Sequence, residues 1–324
     1  MDDDRTQQIT PSVPPGALPQ EKRSVGSHFE YLSASLSHVG CVRTLNEDSC
    51  LELIDRQLWV VADGMGGHMA GDVASRTVVD YARIVPFDQN FSLFVEQVEN
   101  QLIGAHKALV DAGRATGRIS GSTVVAFLAQ GHHGLVMWAG DSRLYLFRQG
   151  CLYQVSRDHS FVEELLAKGV ITPAEARSHP RANVITRAVG AGDELVLDLD
   201  IFELQHGDLL LLCSDGLYKE LEDREIAALI ARPDSPARIA QDLIGACLER
   251  NAQDNVTVVV VLVVRPESAE GVSINSELRA LRQTYADSQI SRQLYRKMRR
   301  DLIDEIIRAE KKPQQQPKTG FFGQ

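Results

Sequence analysis

Four aspartates in this chain share one setting: each ends an apolar run, or sits in the turn beside one, next to a small residue. They are Asp63 after Trp59-Val60-Val61-Ala62, Asp141 after Met137-Trp138-Ala139-Gly140, Asp215 after Leu211-Leu212-Cys213-Ser214, and Asp254 in Gln253-Asp254-Asn255 ahead of Val256. Glu47-Asp48 lies between two further strand-like runs. Carboxylates at strand ends can converge at one edge of a β-sandwich, where their mutual repulsion needs a positive partner. A hard divalent cation held by oxygen (Mg²⁺, Mn²⁺ or Ca²⁺) is the usual partner, and no thiolates or imidazoles that favour zinc or copper cluster with these positions. Taken singly, each aspartate reads equally well as a turn residue; the recurrence at strand ends is what points to chemistry.

Other hydrolytic chemistries leave no trace. A cysteine phosphatase needs an arginine six residues after its cysteine, but Cys213 is followed at that distance by Lys219 and Cys41 by Glu47. No G-x-S-x-G elbow and no G-x-x-x-x-G-K-[ST] phosphate loop occurs. The glycine cluster Gly64-Met65-Gly66-Gly67-His68-Met69-Ala70-Gly71 fails the dinucleotide pattern at Met69, and reads instead as a loop whose backbone can approach a ligand closely.

The elements that must hold these residues follow from periodicity. Ser33–Val39, Cys50–Ile54 and Leu58–Ala62 read as strands, and 70–84 and 92–112 as helices, the second with Phe94, Val98, Leu102, Ala105 and Leu109 on one face. Thr123–Ala129, Gly134–Ala139, Arg143–Arg148 and Cys151–Val155 are strands between glycine-bearing turns, expected as an antiparallel meander. Residues 158–188, with Gly169, Pro173 and Pro180, form an irregular insertion of the kind that is often functional. Strands Leu195–Glu203 and Asp208–Cys213 follow, then helices over 223–231 and 235–251, the second opening on Ser235-Pro236, and a final strand Val256–Val264. A helix pair, a block of strands and a second helix pair favour segregated layers over a doubly wound parallel sheet.

Composition narrows the class. The 324 residues are 44% hydrophobic and 24% charged, the balance of an ordinary globular protein. Residues 1–265 hold 23 basic and 36 acidic residues, whereas 266–324 hold 11 and 8, so an acidic body precedes a basic tail. That body is poorly suited to gripping nucleic acid phosphates, and no nucleic acid partner is expected. The longest apolar run, Val256–Val264, is too short to span a bilayer, and the start Met1-Asp2-Asp3-Asp4 lacks a signal peptide's features, which gives a cytoplasmic expectation. Five scattered cysteines with no C-x-x-C pair read as free thiols. Residues 1–28, with Pro11, Pro14, Pro15 and Pro19, are expected as a disordered leader, 29–265 as the folded domain and 266–324 as an extension.

The ordered blocks Arg43-Thr44-Leu45-Asn46-Glu47-Asp48, Val61-Ala62-Asp63-Gly64-Met65-Gly66-Gly67-His68, Gly121-Ser122-Thr123, Gly140-Asp141-Ser142-Arg143, Asp158-His159-Ser160, Ile185-Thr186-Arg187-Ala188-Val189-Gly190, Ser214-Asp215-Gly216-Leu217 and Asp254-Asn255-Val256-Thr257 resemble the bacterial branch of the protein phosphatase 2C family. The resemblance covers about residues 31–265 and implies an α+β fold, a central antiparallel β-sandwich flanked by helix pairs in four αββα layers. It implies hydrolysis of phosphoserine and phosphothreonine in proteins by a water activated between two Mn²⁺ or Mg²⁺ ions. By motif position Asp63 would bridge both ions and the Gly64 carbonyl would ligate one. Asp215 and Asp254 would hold the first ion, and Glu47 the second through waters with Asp48 close by. Asp141 with Asp215 would serve a weaker third position. Arg43 matches the phosphate-binding arginine, whose planar fork a lysine does not reproduce, and 158–188 matches the family's variable flap. Met65 stands where animal relatives carry a candidate acid histidine; a metal-held water is the expected acid, with His68 a loop residue.

The resemblance also implies phosphorylated proteins as partners, with a Ser/Thr kinase and its substrates as the natural pairing. The alternative is a non-catalytic phosphoprotein-binding module of the same fold. In the extension, Leu278, Leu281, Tyr285, Leu294, Met298, Leu302 and Ile306 recur at three- and four-residue steps among Arg292, Arg296, Lys297, Arg299 and Arg300. One amphipathic basic helix over 276–312, or two broken near 286–288, is expected, either docked on the acidic body or presented to a protein partner.

Overall fold

The computed structural model describes residues 19–25, 29–66, 70–118, 120–232, 234–264, 281, 284 and 291–310. Two antiparallel sheets stack face to face. The first runs in the order β1 (Lys22–Val25), β2 (Glu30–His38), β12 (Val256–Val264), β11 (Leu209–Cys213), β8 (Arg143–Arg148) and β9 (Cys151–Gln154). The second runs β10 (Asp198–Glu203), β7 (His133–Ala139), β6 (Val124–Gln130), β4 (Leu58–Met65) and β3 (Asp48–Leu53), with β5 (Gly121–Ser122) pairing the end of β4.

The strands β4, β6, β7, β11 and β12 are apolar at nearly every position because both faces of each sheet are covered. In β4, Trp59 and Val61 turn into the space between the sheets while Leu58, Val60 and Ala62 turn towards α1 (Ala70–Arg83) and α2 (Phe91–Thr116). In β11, Leu210 and Leu212 face the other sheet while Leu209, Leu211 and Cys213 meet α6 (Asp223–Ile230) and α7 (Pro236–Glu249). Three cores between four layers make the expected αββα sandwich, and Trp59, Phe127 and Phe202 stack in series between the sheets.

The expected meander is not formed. β6 and β7 pair in the second sheet and β8 and β9 in the first, so the chain changes sheets at Gly140-Asp141-Ser142. A glycine-bearing turn has the same composition whether it closes a hairpin or crosses a sandwich. Gly140 adopts φ +111°, and a Cβ there would lie 2.7 Å from the Thr123 side chain, so only glycine fits the crossing. The leader expected over 1–28 also ends earlier. Lys22–Val25 pairs with β2, and Lys22 and Arg23 find Glu52 at 3.3 Å and Glu30 at 2.6 Å, partners that local composition could not reveal.

Within the insertion lie α3 (Phe161–Ala167), capped by Ser160, and α4 (Pro173–Arg177), closed by a Thr172–Glu175 capping box. The helix of the extension, α8 (Arg292–Glu310), docks on α2. Its inward face differs from the expected one by a single position. Leu294 and Met298 are 44% and 42% exposed, while Tyr295, Arg299 and Ile303 are buried. The acidic side of α2 explains the rotation: Glu99 pairs with Arg299, Glu96 with Arg300, and Asn100 accepts from Arg296 at 2.7 Å. The expected positions 278 and 285 lie outside the described residues.

Candidate active site

One edge of the sandwich collects the strand ends that bear the acidic residues. Cys213 is level with both Val258 and Arg143, so the exit of β11, the entry of β12 and the entry of β8 meet there. That register brings Asp215, Asp254 and Asp141 together, although Asp254 follows Asp215 by 39 positions through a largely helical stretch. In the second sheet Asp48 and Asp63 are direct cross-strand partners at the same edge, and His38 opposite Val256 delivers the Arg43–Glu47 loop.

The result is a cleft of about 330 Å³ lined by Arg43, Glu47, Asp63, Gly64, Asp141, Asp215 and Asp254. Seven of the eight sequence-derived residues thus line one cavity. Asp48, expected close to an ion, lies instead beneath the cleft, where its Oδ2 accepts from Ser214 Oγ at 2.8 Å and Thr257 Oγ1 at 2.7 Å. It ties the second sheet to the ends of β11 and β12. His68 lies outside the described residues.

Residues not singled out by sequence hold the site rigid. The Asp63 N–H donates to Thr123 Oγ1 at 2.9 Å, and Ser122 Oγ donates to the Asp63 carbonyl at 3.0 Å. Asn255 accepts the Glu47 N–H at 2.8 Å and donates to the Val39 and Leu45 carbonyls at 2.9 and 3.0 Å, which locks the Arg43–Glu47 loop. A Cβ on Gly64 would fall 2.0 Å from the Gly71 carbonyl oxygen, and one on Gly71 would fall 2.3 Å from Glu47 Oε1. These glycines, at the end of β4 and the start of α1 instead of in a ligand-facing loop, let the two elements and Glu47 approach closely. Asn183 and Ile185 from the insertion, and Lys219 after α5 (Asp215–Tyr218), complete the wall. Asn255 was legible as part of Asp254-Asn255-Val256-Thr257; nothing local marked Asn183, Ile185 or Lys219.

Burial and like charge act together on the carboxyls. Burial first, then the charges of Asp48, Asp215 and Asp141, hold the Asp63 carboxyl well above the usual carboxylate range. Burial likewise pushes Asp48 and Asp141 up to about 7, with Asp215 adding to both. Among the described residues no three side chains stand as a ready-made metal-holding group. Arg43 lies on Asp254 Oδ2 at 3.0 Å, Lys219 is paired with Asp215, and hydroxyls take Asp48. The donor chemistry nonetheless fits hard divalent ions. Asp63, Glu47, Asp215 and Asp254 offer only oxygen donors in one cleft, and the repulsion that raises Asp63 is what a bound cation relieves.

A consequence for stability follows in the absence of divalent ions. A carboxyl raised from 3.8 to about 7 keeps its proton in the folded protein while the unfolded chain ionises, so its contribution falls as pH rises from about 4 to about 7 and is level above that. Asp141→Asn removes this contribution. In EDTA, the melting temperature of Asp141→Asn relative to the wild-type protein is expected to increase from pH 5 to pH 7.5; an advantage that shrinks over that range would contradict the assignment.

The fold and the cleft define a class: a layered αββα sandwich with an oxygen-rich cleft at one sheet edge. The family model for protein phosphatase 2C matches residues 41–243, and the chain belongs to that family. It is 37% identical over 233 residues to the serine/threonine protein phosphatase PstP of Mycobacterium tuberculosis, covering 71% of this chain and 45% of that relative, so the chain spans about half the length of PstP. Among solved structures, PppA, a key regulatory component of T6SS in Pseudomonas aeruginosa, is 40% identical with a TM-score of 0.68, over 75% of this chain and 100% of that one. The catalytic domain of PstP in complex with 2 manganese ions is 34% identical with a TM-score of 0.65, over 72% of this chain and 98% of that one. No helix among the described residues is long and apolar enough to cross a membrane.

Proposed function

We propose that this chain is a metal-dependent serine/threonine protein phosphatase that hydrolyses phosphoserine and phosphothreonine, reversing the action of a Ser/Thr kinase. The observation that carries the reading is the convergence of Asp63, Asp215, Asp254 and Glu47 in one cleft with Arg43 at its rim. Asp63 would hold both ions, with the Gly64 carbonyl, Asp215 and Asp254 completing the first and Glu47 the second. When bound, Mn²⁺ or Mg²⁺ supplies Lewis acidity and a water nucleophile at neutral pH.

The protein's own groups account for the rest. Arg43 has a side chain 49% exposed and one guanidinium edge on Asp254, so its other donors can take two phosphoryl oxygens of a substrate entering from solvent. Thr123 and Ser122 fix the Asp63 backbone, so its carboxylate does not have to be organised at the moment of reaction. No cysteine takes part: Cys213 is buried behind β11 with its thiol pushed far up by burial, the opposite of a reactive thiolate.

Phosphate release from a phosphothreonine peptide should require Mn²⁺ and vanish in EDTA. Binding of the peptide without release in either condition would favour the non-catalytic module. Arg43→Ala should lower kcat/KM about 10- to 100-fold, the worth of one charge-assisted pair, mainly through KM. Calorimetric Mn²⁺ titration of that variant should be nearly unchanged; loss of metal binding together with activity would make Arg43 a structural residue.

A further inference from the structure

Lys219 follows the single turn of α5, four residues after Asp215. Its backbone N–H donates to the Asp215 carbonyl at 3.0 Å and its ammonium pairs with Asp215 Oδ2, so the helical turn itself delivers the cation to the carboxylate. The side chain lines the cleft with Asp141, Asp215 and Asp254, and the charges of all three act on it. Tyr218, beside it, donates its hydroxyl to the Asp141 carbonyl at 2.9 Å and fixes the Asp141 backbone against the same turn.

Asp141 is 7% exposed, and a buried carboxylate needs a cation or a proton. Lys219 is the cation acting on it, while Asp158 and Asp215 act against it. The weaker third metal position that the family resemblance implies would use Asp141 and Asp215. That position does not fit here: Lys219 occupies Asp215 Oδ2, which leaves the other Asp215 oxygen to the first ion and none to share with Asp141. Nor does Lys219 suit the substrate phosphate: it is committed to carboxylates, while Arg43 at the rim is half exposed.

We propose that Lys219 is a built-in counter-cation for Asp215, in the same cleft as Asp141, that replaces the third metal ion, so that this cleft holds two divalent ions. The inference rests on the metal-dependent phosphatase reading of the cleft. A lysine suits the task as a compact point charge that one helical turn can aim at Asp215. Its charge is permanent, which frees this part of the cleft from dependence on metal concentration.

The test counts ions in the full chain, by calorimetry and by the electron paramagnetic resonance signal of free Mn²⁺. The wild-type protein should bind two Mn²⁺ per chain. Lys219→Met should gain one further, weaker ion, Lys219→Arg should stay at two, and Lys219→Met combined with Asp141→Asn should return to two. Three ions in the wild-type protein, or a Lys219→Met variant that stays at two, overturns the proposal. A wild-type protein that binds no Mn²⁺ overturns the metal reading itself, and the Mn²⁺-dependent phosphate release then fails with it; release that persists while three ions bind overturns only the role of Lys219.

Discussion

Asp63→Asn is expected to abolish Mn²⁺-dependent phosphate release, with a loss of about 10³-fold or more, and at the same time to raise the melting temperature of the metal-free protein. Both effects have one origin. Asp63 ends β4 inside the cleft, with its N–H bonded to Thr123 and its carbonyl to Ser122, so its position belongs to the backbone and survives the substitution. What changes is charge. Burial and the charges of Asp48, Asp215 and Asp141 oppose an ionised carboxylate there, and the amide removes that opposition. A gain of about 1 kcal/mol, typical of relieving such strain, corresponds to roughly 2–4 °C in a domain of this size. The same negative charge is what would hold two cations, so the variant trades function for stability. A calorimetric Mn²⁺ titration and a thermal melt in EDTA check both halves. Retained turnover would remove Asp63 from the centre of the mechanism, and a lower melting temperature would show that its carboxylate stabilises the apo fold.

The sheet-edge convergence was legible because it is written in short-range pattern. An apolar run that stops at Asp63 or Asp215 records a strand leaving a covered sheet, one that starts after Asp254 records a strand entering it, and antiparallel pairing does the rest. The partition of strands between sheets was not legible. Gly140 looks like a hairpin glycine until Thr123 is seen against it, and only that contact turns the chain across the sandwich at Asp141. Asp48 shows the same limit at the level of a side chain. Its neighbour Glu47 reaches the cleft, but strand alternation sends Asp48 to the opposite side, where Ser214 and Thr257 wait on strands about 170 to 210 positions away. Lys219 was passed over because its meaning depends on α5, a single turn too short to leave a periodic signal. The misjudged face of α8 has an electrostatic cause: apolar periodicity selected Leu294 and Met298, while the carboxylates of α2 drew in Arg299 and Arg300.

That inward face makes Arg299 the residue outside the cleft whose loss should matter most. Arg299 is 2% exposed and Glu99 5%, so their ion pair is shielded from water on both sides. Tyr295 lies under the guanidinium, 5.5 Å from ring centre to its carbon, and Ile303 one turn further on enters the core shared by α2 and the second sheet. Removing Arg299 leaves Glu99 with Arg296 alone, 3.6 Å away and 24% exposed, so a cost towards the lower end of the about 3–5 kcal/mol for breaking a buried pair is expected. Arg299→Met should therefore lower the melting temperature by roughly 10 °C, or release α8 so that limited proteolysis cuts within 291–310 while the body persists. Replacing both partners, Glu99→Leu with Arg299→Leu, should recover most of the loss, because two apolar side chains of similar size carry no desolvation penalty. Lys297→Met, on the exposed side of the same helix, serves as the control and should shift stability by no more than about 0.5 kcal/mol. Equal behaviour of the Arg299 and Lys297 variants would mean that α8 rests on the body without contributing to it. The helix α8 lies beyond residues 41–243 that the family model matches, and it reaches the core of the sandwich through Ile303. A helix held by a buried charge pair docks in one register only, since sliding by a turn would strand both Arg299 and Glu99 in apolar surroundings.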